Sequence, residues 1–271
     1  MAAKISGKAD PVVLRITRND IVEALAKGLR DFQAAPRYGL LLGGLCAAGG
    51  IAIVLCLTAL GMTYFAYPIA AGFSLIAPFL ATSLYEVSRR IETGQTLPTW
   101  SEIWTTVTGR SEIRWMAFVT MFIMIMWMYQ VRLLMALFLG FKSFASLEEF
   151  LTTILTTNEG LLFLAIGNLV GALLSVVLFS LTVVSFPLVL DRETDFVTAM
   201  ITSVRAVATN PGPMIGWAAV VVMLMILSAL PMFLGLVVTL PVLGHATWHL
   251  YRRVVAPENS AAGPAGAAVP A

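Results

Sequence analysis

The chain has 271 residues, of which 59% are hydrophobic and 12% charged, and its formal net charge is +2. Soluble domains carry about 25% charged residues, so a mean hydropathy of +0.88 leaves too little polar surface to cover a water-soluble globule. A net charge this small also sets up no field that would recruit nucleic acid, and the composition points to an all-α membrane protein whose first partner is the lipid bilayer.

Residues 1–13 are polar and mixed, without the apolar core of a signal peptide, and read as a disordered N-terminus. A single transmembrane domain is expected over residues 14–256. Its first element is announced by Thr17-x-x-Asp20, a variant capping box with Asp in place of Glu. After it, Ile21, Val22, Leu25, Leu29 and Phe32 form an apolar face, while Arg18, Lys27, Arg30 and Asp31 stay polar. Such a helix lies in the membrane interface.

A helix needs about 20 apolar residues to cross a hydrocarbon core of about 30 Å. Six stretches qualify, near residues 38–60, 64–87, 115–139, 161–190, 214–234 and 236–255. The first two are separated by Gly61-Met62-Thr63 and the last two meet at Gly235, so each pair reads as a tight hairpin. Cys46 and Cys56 lie on one of these helices and point in different directions, which makes them packing residues rather than a bridge. Thr99-x-x-Glu102 and Ser146-x-x-Glu149 announce two further short helices, the first with Trp100 and Trp104 as interface anchors. Pro187 and Pro241 fall inside expected spans and can kink them. The Ala-, Pro- and Gly-rich tail over 257–271 reads as disordered.

Charge placement orients the spans. Of the 17 Lys and Arg residues, all but Arg132 and Lys142 fall in four segments that six crossings place on one side. Basic loops face the cytoplasm, so both termini are expected there. Asp20 through Pro36 aligns with Asp195 through Pro211, and Pro78 through Arg90 aligns with Pro241 through Arg253. The fold expected is therefore six transmembrane helices as three parallel pseudo-repeated hairpins, each preceded by an interfacial amphipathic helix.

Few polar residues fall at membrane depth. Arg132 and Gln130 lie toward the outer end of the third span, as candidate contacts for a headgroup or anion, or as partners of Glu148 or Glu149. Glu86 lies beside Arg89 and Arg90, where ion pairing is expected. His245 and His249 share one helix face and could supply two metal ligands, with Glu86 as a possible third. The plainer alternative is a pair of hydrogen-bonded histidines packing hairpin ends. No nucleotide loop, nucleophile elbow or zinc-protease helix occurs, so no enzyme and no cofactor are expected.

Three stretches carry a resemblance: Ile16-Thr17-Arg18-Asn19-Asp20 running into Gly28-Leu29-Arg30-Asp31-Phe32, then Ala35-Pro36-Arg37-Tyr38-Gly39, and Gly244-His245-Ala246-Thr247-Trp248-His249-Leu250-Tyr251-Arg252. In them the chain resembles a family of bacterial integral membrane proteins of unknown function. That resemblance implies the six-span fold and no particular activity. Three functions stand open on the residues: a non-enzymatic scaffold, assembly or accessory component with a membrane-protein partner; a transporter or lipid-handling protein; and a metal- or haem-binding protein using His245 and His249.

Overall fold

The computed structural model describes residues 10–59, 79–140, 144 and 147–258. Among these residues the chain is helical throughout, apart from one isolated β-bridge. The helices are α1 (Arg18–Ala34), α2 (Pro36–Thr58), α3 (79–92), α4 (Trp100–Gly109), α5 (Ser111–Phe138) and α6 (Leu147–Thr156). They continue with α7 (Asn158–Thr182), α8 (Ser185–Asp191), α9 (Phe196–Thr209), α10 (Pro211–Ala229) and α11 (Leu236–Val254).

The short helices begin where side chains meet their first free amides. At α1 the Thr17 N–H and hydroxyl each donate to Asp20 at 2.8 Å. At α4 the Thr99 N–H donates to Glu102 at 2.7 Å, and the Glu102 N–H returns a bond to the Thr99 hydroxyl at 3.3 Å. Ser146, of the third expected box, lies outside the described residues. Asp195 caps α9 by accepting from the Thr198 N–H at 2.8 Å. In the repeat alignment Asp195 matches Asp20, yet Asp20 sits inside its helix and Asp195 precedes its own.

These bonds set an acid limit. The Thr17 backbone and hydroxyl hold the Asp20 carboxyl below its ordinary value, Thr99 does the same for Glu102, and Thr198 for Asp195. A carboxyl lowered by folding contributes stability that is complete above its unfolded pKa and is lost as pH falls through the folded one. The starts of α1, α4 and α9 should therefore lose amide-exchange protection together on acidification below the carboxylate range. Glu102→Gln should abolish the α4 part of that response and leave α1 and α9 unchanged, whereas Thr99→Ala, which keeps the residue 99 N–H that donates to Glu102, should only weaken it.

Among the described residues four helices are long and apolar enough to cross a membrane: Pro36–Cys56, Ser111–Phe138, Asn158–Asp191 and Pro211–Ala229. They match the first, third, fourth and fifth expected spans. The first expected hairpin turn, and the second span as far as residue 78, lie outside the described residues. The sixth expected span forms α11, which has the length, but His245, His249, Arg252 and Arg253 make its second half too polar for it to join the four. The fourth span is interrupted between α7 and α8. Pro187 has no N–H to donate to the Val183 carbonyl, and at the same break the Val184 N–H donates to the Ser203 hydroxyl at 3.1 Å. The turn from α10 to α11 uses two left-handed residues, Met232 and Phe233. It is closed by Gly235, where a Cβ would stand 2.5 Å from Ser228 Cα.

Burial is uneven along the spans. None of the most apolar window of α7, and 6% of that of α5, is buried. The large core lies at the opposite end of the molecule from the α10–α11 turn, where α1, the end of α3, α4, α8, α9 and the end of α11 meet. The α1–α11 contact is the closest in this core. A Cβ on Gly28 would stand 2.5 Å from the Ala246 nitrogen and 2.7 Å from the Val242 carbonyl oxygen. Ile21, Ala24, Gly28 and Asp31 form the buried stripe of α1, whereas Val22 and Leu29 are exposed. The expectation that Asp31 belongs to a solvated face is corrected: α1 sits on α11 through a stripe of small residues that ends in a buried carboxylate.

The domain's ends clasp one another. Val13 bridges Val255, the Leu14 N–H donates to Val254 O at 2.7 Å, and the Ala256 N–H donates to Val12 O at 3.0 Å. Pairing thus begins inside the stretch expected to be disordered. The buried Asn210 side chain fixes the clasp by accepting from the Ile16 N–H at 2.8 Å and donating to Leu14 O at 2.9 Å. Asn210 also ends α9 with φ −126° and ψ 52°, close to Ala35 after α1 with φ −136° and ψ 54°. Each is followed by proline at the start of the next helix.

Candidate functional site

The two histidines singled out on α11 converge with Asp31 of α1 and Ser88 of α3 in one buried cluster. Asp31 Oδ2 accepts the Ser88 hydroxyl at 2.7 Å and pairs with His249 Nε2 at 2.7 Å. Ser88 Oγ is also 2.8 Å from His245 Nδ1. With the hydroxyl proton given to Asp31, Ser88 accepts, so His245 carries its proton on Nδ1. Its Nε2 is then a bare acceptor, and it is buried without a hydrogen-bond partner. Ser88 and His245 are fully buried.

The sequence periodicity explains the convergence. His245 and His249 lie one turn apart on α11, and Trp248, Tyr251 and Arg252 occupy adjoining positions of that helix. Trp248 Nε1 donates to Glu92 at 2.8 Å and Arg252 Nε donates to the same carboxylate at 3.1 Å. The Tyr251 hydroxyl donates to Asp191 at 2.6 Å, joining α8, and Arg252 reaches Asp191 at 3.3 Å. Arg253 pairs with Glu23 at 2.5 Å and Asp20 at 3.6 Å, joining α1.

Glu86, fully buried on α3, is held by both neighbouring arginines. Arg89 approaches it through two nitrogens at 2.8 Å and Arg90 through Nε at 2.8 Å. The Glu86 bonds raise the Arg89 guanidinium above its ordinary value, which keeps it charged throughout. Glu86 is therefore engaged by arginine rather than by the two histidines, and the three-ligand arrangement considered for His245, His249 and Glu86 is not formed. Among the described residues no group of three or more His, Cys, Asp or Glu side chains is placed to hold a metal.

Arg132 and Gln130 lie apart from this cluster on α5. Arg132 is exposed and Gln130 half-buried. The reading missed Asp31, Ser88 and Glu92. For Asp31 a signal existed: Ile21, Ala24, Gly28 and Asp31 follow the spacing of one helix face, with two small residues between the ends.

Chemically, the cluster joins three helices through charge-assisted hydrogen bonds. A chain that is helical over its described residues, with four membrane-length apolar helices among them locked at one end by such a network, is a multi-pass integral membrane protein. Residues 66–191, a little under half of the chain, match the model of a family described as "Predicted integral membrane protein (DUF2189)". The matched region contains Glu86, Ser88, Glu92, Arg132 and Asp191, while Asp31, His245 and His249 lie outside it. No curated protein and no solved structure matches the chain.

Proposed function

We propose that this chain is a non-enzymatic scaffold or accessory component of a bacterial inner membrane, a relative of that family, with six spans in three parallel hairpin units and both termini in the cytoplasm. The observation that carries the functional reading is the Asp31–Ser88–His245–His249 cluster. Asp31, Ser88, His249 and the Nδ1 of His245 are engaged in joining α1, α3 and α11, and the acceptor left over, His245 Nε2, is enclosed with the rest of a fully buried ring. A catalytic base must reach the proton it takes from a substrate, and these groups face one another. The matching junctions at Ala35-Pro36 and Asn210-Pro211 support the repeat reading, and the arginines gathered at the cluster end support a cytoplasmic placement of that end.

One tagged strain tests both parts. A fluorescent protein fused after Ala256 should fluoresce, and alkaline phosphatase inserted after Gly140 should be active. In-cell cross-linking of the tagged protein should give a stoichiometric membrane-protein partner whose assembly falls when this chain is deleted. Reversed reporter activities would overturn the orientation. Purified protein that turns over a substrate, or moves a solute across vesicles, would overturn the scaffold reading.

A further inference from the structure

A groove of about 760 Å³ runs between α5, α7 and α10, among the described residues. Its walls include Trp127 and Leu134 on α5, Gly167 and Gly171 on α7, and Ala218 and Val222 on α10. The α7 lining extends from Phe163 to Phe179, a length of about 24 Å at 1.5 Å per residue. That is most of a hydrocarbon core of about 30 Å, and all three helices are membrane-length and apolar.

The two glycines give the groove its depth. A Cβ on Gly167 would stop 4.0 Å from Leu134 Cδ1, and one on Gly171 would stop 4.0 Å from Trp127 Nε1. The polar side chains within reach are turned back onto their own helix. Asn168 Nδ2 donates to Leu164 O at 2.7 Å and the Ser175 hydroxyl donates to Gly171 O at 2.8 Å. What faces the groove is mainly methyl, methylene and aromatic surface, which suits an apolar chain and not a hydrated solute. Its rim is also continuous with the bilayer contact surface, since Val176, Ile215 and Val222 are exposed by 59%, 66% and 56%.

We propose that this groove binds one phospholipid acyl chain, entering sideways from the bilayer, with the headgroup left at the interface. The site stands apart from the buried cluster and from the scaffold reading, and it holds whether or not that reading does.

The test uses the full chain reconstituted in vesicles of palmitoyl-oleoyl phosphatidylethanolamine and phosphatidylglycerol, extracted into mild detergent and weighed by native mass spectrometry. The wild-type protein should retain one phospholipid. Gly171→Leu fills the groove in place of several methylenes and should lower retention about tenfold. Val177→Leu, on the opposite face of α7, should leave it unchanged. Wild-type protein without retained lipid, or Gly171→Leu with undiminished retention, would overturn the proposal. So would a wild-type dimer without lipid that Gly171→Leu dissociates, because the occupant would then be a second copy. A second readout needs no groove-filling variant. One equivalent of acyl-brominated phosphatidylcholine in detergent should quench the emission of Trp127, taken as the difference between wild type and Trp127→Phe. No quenching of that difference signal would overturn the site.

Discussion

Gly28→Ala should destabilise the protein by about 3 kcal/mol, near the upper end of the range for overpacking a close contact. The sign is informative, because replacing glycine by alanine inside a helix ordinarily stabilises it by about 1 kcal/mol. Here the added methyl would stand 2.5 Å from the Ala246 nitrogen, 2.7 Å from Val242 O and 2.8 Å from Ala246 Cα. All three are backbone atoms of α11, so no side-chain rotation can relieve the clash and the helices must part. Parting them also stretches the Asp31–His249 and Glu23–Arg253 contacts on either side of Gly28. Gly44→Ala is the control, since a Cβ there meets nothing within 4 Å; it should be neutral or slightly stabilising. Thermal or denaturant unfolding in a fixed detergent measures both.

Asp31→Ala should cost about 3–5 kcal/mol, the penalty for removing one partner of a buried charged pair. Asp31 accepts from both Ser88 and His249 through one oxygen. Its loss leaves the almost buried His249 imidazole without its acceptor and turns the Ser88 hydroxyl onto His245 Nδ1, which moves that ring's proton to the buried, partnerless Nε2; each orphaned group costs its own desolvation. Asp31→Asn keeps the shape and one acceptor oxygen, so it should cost less. Activation of a new function by either change would contradict a joining role. Replacing Asp31, Ser88 and His249 together by apolar residues should recover part of the loss, because no charge is then left unpaired.

Much of the fold could be read from the sequence where a single local rule governs. The capping residues at Thr17 and Thr99 marked the starts of α1 and α4, Gly235 marked the α10–α11 turn, and long apolar runs marked the four membrane-length helices. Pro187 was read as a kink, and at the break between α7 and α8 the Val184 N–H is satisfied by Ser203 on α9. That partner is distant in sequence and no local pattern announces it. The same holds for the candidate site. His245, His249 and Glu86 drew attention as polar residues at expected span ends, but what each one touches depends on how α1 packs. Periodicity assigned Asp31 to a polar face because the apolar stripe was drawn through Val22 and Leu29, which are exposed by 66% and 44%. The stripe that packs consists of small residues, and these carry little hydrophobic signal while permitting the closest approach.

The lock between α1 and α11 is the centre of this account, and a double-mutant cycle on Asp31 and His249 tests it most directly. Unfolding free energies are measured for wild type, Asp31→Asn, His249→Gln and the double variant in one detergent. Contacting residues couple by about 0.5–3 kcal/mol, whereas distant ones add. The structure, with 2.7 Å between Asp31 Oδ2 and His249 Nε2, predicts a double variant clearly more stable than the sum of the single losses. Strict additivity would mean that α1 does not rest on α11 as described, and would contradict the account.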